Sequence, residues 1–354
     1  MSTLLLHIGM PKVGSTAIQA LLSANQDPLA ELGWNYPDFC RLANHVELAA
    51  FASDHVHPLL HPSVKVTNRD ELTEFQARFT EEFSVTSTGN WVFSSEHLAS
   101  HLSSPEAVER LASLVGHFDT VRIVLYVRRQ DEIAAGSHST WIITGMHAPF
   151  DVQTHLDFPN RYDYRLIAQR WMDVFGASAV EVRLYPGRNL LADFATVLGG
   201  SLELFEEPAP ANVSLTNVEL EFLRALNAEI PRWEDGKPKS GTGNFANAIS
   251  GSGRGQKVRL ADADRRLLLE QFRESNEWIL DHAANGEGLA DHFSPPTGDD
   301  PGNLDVELTP EDYVALAARL WKRAANLKGK LGQARQNQRR LRRRLNAMDG
   351  GASR

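Results

Sequence analysis

The sequence predicts an α/β protein: a mainly parallel central sheet flanked by helices, with a helical C-terminal extension. Three observations carry this. Apolar runs without helical period recur at residues 3–8, 91–95, 121–127 and 179–184. Stretches with helical spacing of apolar residues separate them, as βα alternation requires. The last 36 residues are strongly basic and carry leucine and alanine at alternating three- and four-residue steps.

The first run, TLLLHI, is bounded by Gly9 and Pro11, which suits a buried parallel strand. Ile18, Leu21 and Leu22 then give a helix over Thr16 to Leu22. WVFSS, VRIVLYV and AVEVRL are the further strands, with helices expected at Pro105 to Val115 and Tyr164 to Phe175. Beyond a boundary at Pro208 to Asn212 the chain reads as more helical, through Val218 to Leu226 and Ala261 to Leu280. A glycine-rich loop lies between them at Ser240 to Gln256, and Ser294 to Asn303 has linker composition. The expected organisation is a catalytic domain over 1–293, a linker over 294–308 and a basic helical tail over 309–354.

With 354 residues, 42% of them hydrophobic and 23% charged, the chain has ordinary globular composition and enough length for a sizeable core. The one cysteine, Cys40, excludes an internal disulfide and any multi-cysteine metal site, and fits a reducing, cytoplasmic setting. No stretch has the length of a membrane span, and the opening leucines are too few for a signal-peptide core. A soluble protein is the expectation.

Net charge is −9, yet residues 319–354 hold 12 Lys and Arg against one acid, leaving the remainder at −20. A basic appendage on an acidic body is a surface for association. The tail seam, Ala317, Leu320, Ala324, Leu327, Leu331, Ala334, Gln338, Leu341, Leu345 and Met348, allows a coiled coil and hence a homo-oligomer, or a single solvated helix. Little aromatic interleaving supports nucleic-acid binding there.

The chemistry begins at HIGMPKVGSTAIQALL, His7 to Leu22. A glycine-bordered turn entering a helix presents backbone N–H groups and the positive helix end to an anion, and Ser15 and Thr16 add hydroxyl donors. A triphosphate-binding loop places lysine directly after its second glycine; here Ser15 follows Gly14, and Lys12 lies inside the turn. The motif resembles the 5′-phosphosulfate loop of sulfotransferases that use 3′-phosphoadenosine 5′-phosphosulfate (PAPS), which typically reads P-K-x-G-[ST]-[ST] after a strand. That resemblance implies a P-loop type fold and PAPS as co-substrate, with Pro11, Lys12, Gly14, Ser15 and Thr16 on the 5′ end. It explains the displaced lysine: charge builds on the bridging oxygen and 5′-phosphate as the S–O bond breaks, and a cation inside the turn meets it.

A second stretch, RIVLYVRRQDEIAAGSHSTWI, is similar to the same family's 3′-phosphate motif, in which arginine and serine lie eight residues apart. Arg129 and Ser137 have that spacing, while Arg128 leads to Gly136 and Ser139 offers another hydroxyl. Glu96, at the end of NWVFSSE, is the candidate general base, since ligands bind at the carboxyl ends of parallel strands; its other reading is a carboxylate at a helix start. His97 is its possible replacement, and His45 a further candidate for acceptor contact or base work, or else a satisfied core histidine. His7 reads as structural. His55, His57, His61, His97 and His101 include ligand-type spacings, but without an H-E-x-x-H pattern no metal is expected.

Tyr162 to Pro186 and Gly251 to Lys257 resemble further segments of bacterial members. The function implied is transfer of a sulfuryl group from PAPS to an acceptor hydroxyl on a saccharide or other small metabolite. The alternatives are a P-loop nucleotide kinase and a catalytically silent nucleotide-binding scaffold.

Overall fold

Strand β1 (Thr3–His7) is the central strand of a five-stranded parallel sheet, with Leu4, Leu5 and Leu6 fully buried. A run apolar on both faces is what a strand covered by helices on both sides requires. In this computed structural model the described residues are all except 38, 41, 59, 210–213, 235, 236, 239–244, 287, 288 and 350–354. Strand β2 (Trp34–Asn35) lies at one edge, followed in space by β3 (Asn90–Ser94), β1, β4 (Thr120–Val127) and β5 (Val180–Leu184). Register is set by pairs such as Leu6 with Phe93 and with Ile123, and Leu125 with Val182.

Helix α1 (Ser15–Ala24) follows β1 and buries Ile18, Leu21 and Leu22, the positions whose spacing predicts it. Helix α2 (Glu96–His101) follows β3, and α3 (Pro105–Val115) starts with Ser104 capping the Ala107 N–H. Helix α4 (Gln130–Thr144) follows β4; α5 (Pro159–Tyr162) and α6 (Tyr164–Phe175) precede β5. The strand-to-helix transitions after β1, β3 and β4 all occur at the carboxyl ends of neighbouring strands, the edge where α/β sheets bind ligands.

The helix expected over Ala261 to Leu280 is two helices, Asp262–Gln271 and Arg273–His282. Phe272 leaves the helical region (φ −109, ψ 21) and stacks on Tyr162 at 5.9 Å. Strand β2 has only two residues, one of them the polar and exposed Asn35, too few to form a pattern in the sequence; Trp34 donates its indole N–H to the Leu198 carbonyl at 2.9 Å.

The described residues group into two compact units. The first comprises residues 1–137, 151–212 and 260–301 and contains the whole five-stranded sheet; the second comprises 138–150, 213–259 and 302–354. The expected linker 294–308 falls partly in each. Within the second unit, helix α7 (Asn217–Glu229) begins with a capping box, Thr216 and Glu219 each bonding the other's backbone N–H. Leu215, Val218, Leu220, Leu223, Ala246, Ile249 and Leu316 form its core, with Leu304, Val306 and Leu308 packed against it.

Helix α8 (Pro310–Asp349) is the expected basic tail. Its seam residues Leu327 and Leu331 are about half exposed, as is Tyr313, and Trp321 is 77% exposed. The side chains of Leu341, Leu345 and Met348, the expected boundary residues 210–212 and loop residues 240–244 lie outside the described residues. Among the described residues no helix is long and apolar enough to cross a membrane.

Candidate active site

The turn between β1 and α1 is built by close approach. A Cβ on Gly9 would lie 2.7 Å from Ser15 Oγ and 2.9 Å from the His7 ring, so only glycine lets the strand end pass under the helix start. Gly14 has φ 84, and a side chain there would also collide with Leu190. Lys12 has φ 68, an unusual conformation for a residue with a Cβ, at a cost of about 1 kcal/mol. Ser15 and Thr16, as the first helical residues, have no preceding turn whose carbonyls accept their N–H groups. Left-handed residues beside a helix start gather such N–H groups into an anion-binding concavity.

Lys12 as a residue is exposed, but its stem lies along α4: a Cβ on Gly136 would be 3.1 Å from Lys12 Cγ and 3.2 Å from Cδ. Its ammonium sits in a desolvated place. Burial lowers its pKa first, and the nearby Arg161 guanidinium lowers it further. The next residue of α4, Ser137, is buried and hydrogen-bonded to the Tyr162 hydroxyl. The loop and α4 are thereby brought together, with the Lys12 stem along Gly136.

Arg128 connects them from the other end. Its Nη1 donates to the Lys12 carbonyl at 3.0 Å, its Nε to Glu132 at 2.5 Å, and its guanidinium lies 4.7 Å from the centre of the Tyr185 ring. Arg129 is committed to the protein instead. It grips Asp131 with Nε and Nη2, both at 3.1 Å, and its Nη1 donates to the His292 and Ser294 carbonyls, both at 2.9 Å. Four of its five N–H donors are used. Arg129 thus acts as a strut with one N–H donor outside these bonds, and Arg128 has three outside its two.

Glu96 is the first residue of α2, directly beyond β3. Gln19 of α1 donates to its Oε2 at 2.7 Å, and His97 Nε2 is 3.8 Å from its Oε1. The base candidate is thus tied to the helix that starts at the β1–α1 turn. Asn44 Nδ2 lies 3.2 Å from the same His97 nitrogen, so His97 Nε2 is an acceptor for that amide. Burial lowers the His97 pKa, partly opposed by Glu96.

His45 has a different place. It is buried between Tyr36 and Phe93, its Nδ1 accepts the Ser94 backbone N–H at 3.0 Å, and burial lowers its pKa to about 3. That is the environment of a satisfied core histidine. His7 is likewise structural: its Nδ1 meets Ser94 Oγ at 2.8 Å and burial lowers its pKa to about 3. Among the described residues no group of three or more His, Cys, Asp or Glu is arranged to hold a metal ion.

The residue that sequence reasoning missed is Arg161, in α5. Its charge acts on Lys12, it hydrogen-bonds Tyr162, and among the described residues no carboxylate pairs with it. The only sequence signal was its position directly before Tyr162, where the second family-like segment begins. Residues 251–257, the other such segment, are fastened within the second unit: Ser252 N–H and Oγ donate to Glu219, Gln256 N–H to Asn217, and Arg254 to Asp312.

No family model matches this chain, and no curated protein does. Among solved structures, a sulfotransferase from Alicyclobacillus acidocaldarius is similar at 16% identity with a TM-score of 0.37, over 64% of this chain and 91% of that one. A likeness of that degree has no bearing on chemistry, and the assignment of roles rests on the residues themselves.

Proposed function

We infer that the chain transfers a sulfuryl group from PAPS to an acceptor hydroxyl. The observation that supports this most is the packing of the Lys12 stem against Gly136, the residue before Ser137 in α4. It puts a lysine set inside the first turn next to the helix that carries the second motif, as a donor with phosphates at both ends of its ribose requires. A triphosphate loop has no use for that arrangement.

In this reading the loop N–H groups and the Ser15 and Thr16 hydroxyls hold the 5′-phosphate. Lys12 meets the negative charge that collects on the bridging oxygen as sulfur departs, the kind of stabilisation that commonly contributes most to a rate. The 3′-phosphate falls to the arginine pair and Ser137, with Arg128 supplying more donors than Arg129. Glu96 withdraws the acceptor proton while the hydroxyl oxygen attacks sulfur in line. Fixing both ends of the nucleotide orients the sulfur, an effect worth several kcal/mol in general.

Turnover with radiolabelled PAPS and a panel of hydroxyl acceptors tests the assignment. Label passes to an acceptor in the parent protein and is lost in Lys12→Ala and Glu96→Gln. Equal transfer by Lys12→Ala refutes it. No observation favours the kinase or scaffold alternatives.

A further inference from the structure

The second unit encloses a cavity of about 370 Å³ whose lining belongs wholly to that unit and includes no residue of the candidate active site. Its volume is at the small end of the range for small-molecule pockets. Phe150, Leu220, Leu304 and Val306 give it an apolar wall. Leu304, Val306 and Leu308 pack on the core of the unit, and Asp305 and Glu307, which alternate with them, stay exposed.

Four charged side chains line the same space, Glu221, Arg224, Asp305 and Glu307. Two of them hold each other. On α7, Arg224 donates from Nε to Glu221 Oε2 at 2.7 Å and from Nη2 to Oε1 at 2.8 Å, while its Nη1 donates to the His147 carbonyl at 2.9 Å. The carboxylates of Asp305 and Glu307 make no hydrogen bond or close ion pair among the described residues. Three carboxylates against one guanidinium leave the lining at −2.

His138 of α4 also lines the cavity. It is only 4% exposed, its ring stands perpendicular to that of Phe150 at 5.5 Å, and neither ring nitrogen has a hydrogen-bond partner among the described residues. Burial lowers its pKa first and Arg224 next, against an opposing effect of Glu221, so the imidazole is neutral at neutral pH and has a lone pair to offer. A buried polar group normally has a partner. The occupant that completes this space brings an N–H donor for the imidazole, positive charge for the carboxylates and an apolar body for the wall. Among the described residues the acids and histidines are not grouped to hold a metal ion, which leaves an organic cation.

We propose that this cavity binds an aliphatic diamine. One ammonium donates to His138 and to a free lone pair of Glu221, the methylene chain lies on the apolar wall, and the second ammonium meets Asp305 and Glu307. A dication matches the charge of the lining, whereas a monoamine leaves one negative charge unanswered. The site stands apart from the sulfuryl-transfer reading and needs none of it.

Calorimetry on the full chain with 1,5-diaminopentane, pentylamine and 1,5-pentanediol, probes of nearly equal length carrying two, one and no charges, tests the proposal. The diamine is expected to bind about tenfold more tightly than pentylamine, the equivalent of one charge-assisted contact, and the diol to give no binding. The double variant Asp305→Asn with Glu307→Gln, which alters only exposed carboxylates, is expected to reduce the diamine to the affinity of pentylamine. His138→Phe is expected to weaken both amines about tenfold. A charge-matched control, Glu270→Gln with Glu277→Gln on the exposed surface of the first unit, should keep the parent's preference. Affinity of the Asp305/Glu307 double variant for 3′-phosphoadenosine 5′-phosphate (PAP) should equal the parent's, whatever that is. Equal binding of diamine and monoamine, binding of neither, or a preference that survives the Asp305/Glu307 double variant overturns the proposal. So does a preference lost in the charge-matched control, which assigns it to net charge, or a changed PAP affinity, which assigns the two carboxylates to the nucleotide.

Discussion

The stem of Lys12 runs along α4 at Gly136, leaving no room for a methyl group between them without a shift of a few tenths of an ångström. An alanine in a helix interior is better than glycine by about 1 kcal/mol. Activity and stability are therefore expected to separate in Gly136→Ala. Its melting temperature holds or rises, while kcat falls about tenfold because the ammonium is displaced. A parallel fall of both, by thermal melting and steady-state kinetics, would show that the contact serves only packing.

Lys12→Gly makes the same separation through the backbone. Glycine relieves the left-handed conformation at residue 12 and restores about 1 kcal/mol. Loss of the cation is expected to lower kcat by about a hundredfold or more. Chemical denaturation and turnover on the one variant check both halves.

Arg129→Ala is expected to act on stability. It removes four hydrogen bonds and leaves Asp131, which is buried, with Arg265 at 2.9 Å as its remaining ion-pair partner. A loss of about 2 to 4 kcal/mol is expected, since bonds to charged groups are worth about 1.5 to 3 kcal/mol each and one pair survives. Arg128→Ala should instead weaken PAP by about tenfold, as one lost charge-assisted contact does, with a smaller drop in melting temperature. Urea midpoints and calorimetry on the pair distinguish the strut from the ligand.

Acid should unfold the protein early through His7 and His45. Both are neutral when folded, with pKa values brought to about 3 by burial, against 6.5 when unfolded. Between these values the unfolded state binds more protons, so stability falls as pH drops from 6.5 and the loss is complete only below about 3. Each pH unit in that window costs up to about 1.4 kcal/mol per histidine. Urea midpoints from pH 7 to 4.5 should decline steeply, and less so in His45→Gln, whose amide also accepts the Ser94 N–H. A parallel slope in the variant would contradict this assignment.

The sheet was legible because buried parallel strands write themselves as apolar runs: TLLLHI and VRIVLYV place β1 and β4 within a residue of their observed ends. The loop was legible because Gly9, Lys12 and Gly14 are local in sequence. Arg129 was not, since spacing alone says nothing of Asp131 or of the carbonyls at 292 and 294 that engage it. His45 was open for the same reason: only the fold shows that Ser94 supplies its partner. Arg161 was hidden because its charge acts on Lys12, a residue distant in sequence. The break at Phe272 followed from its stacking on Tyr162, a tertiary contact that overrides helical spacing.

The most direct test of the central claim is calorimetric titration with PAP, with ADP and with 5′-AMP, in buffer without magnesium. A site that holds phosphates at both ends of one ribose binds PAP about a hundredfold more tightly than either competitor, and Ser137→Ala together with Arg128→Ala removes the difference. Equal affinity for the three nucleotides, or tighter binding of ADP, would contradict the account.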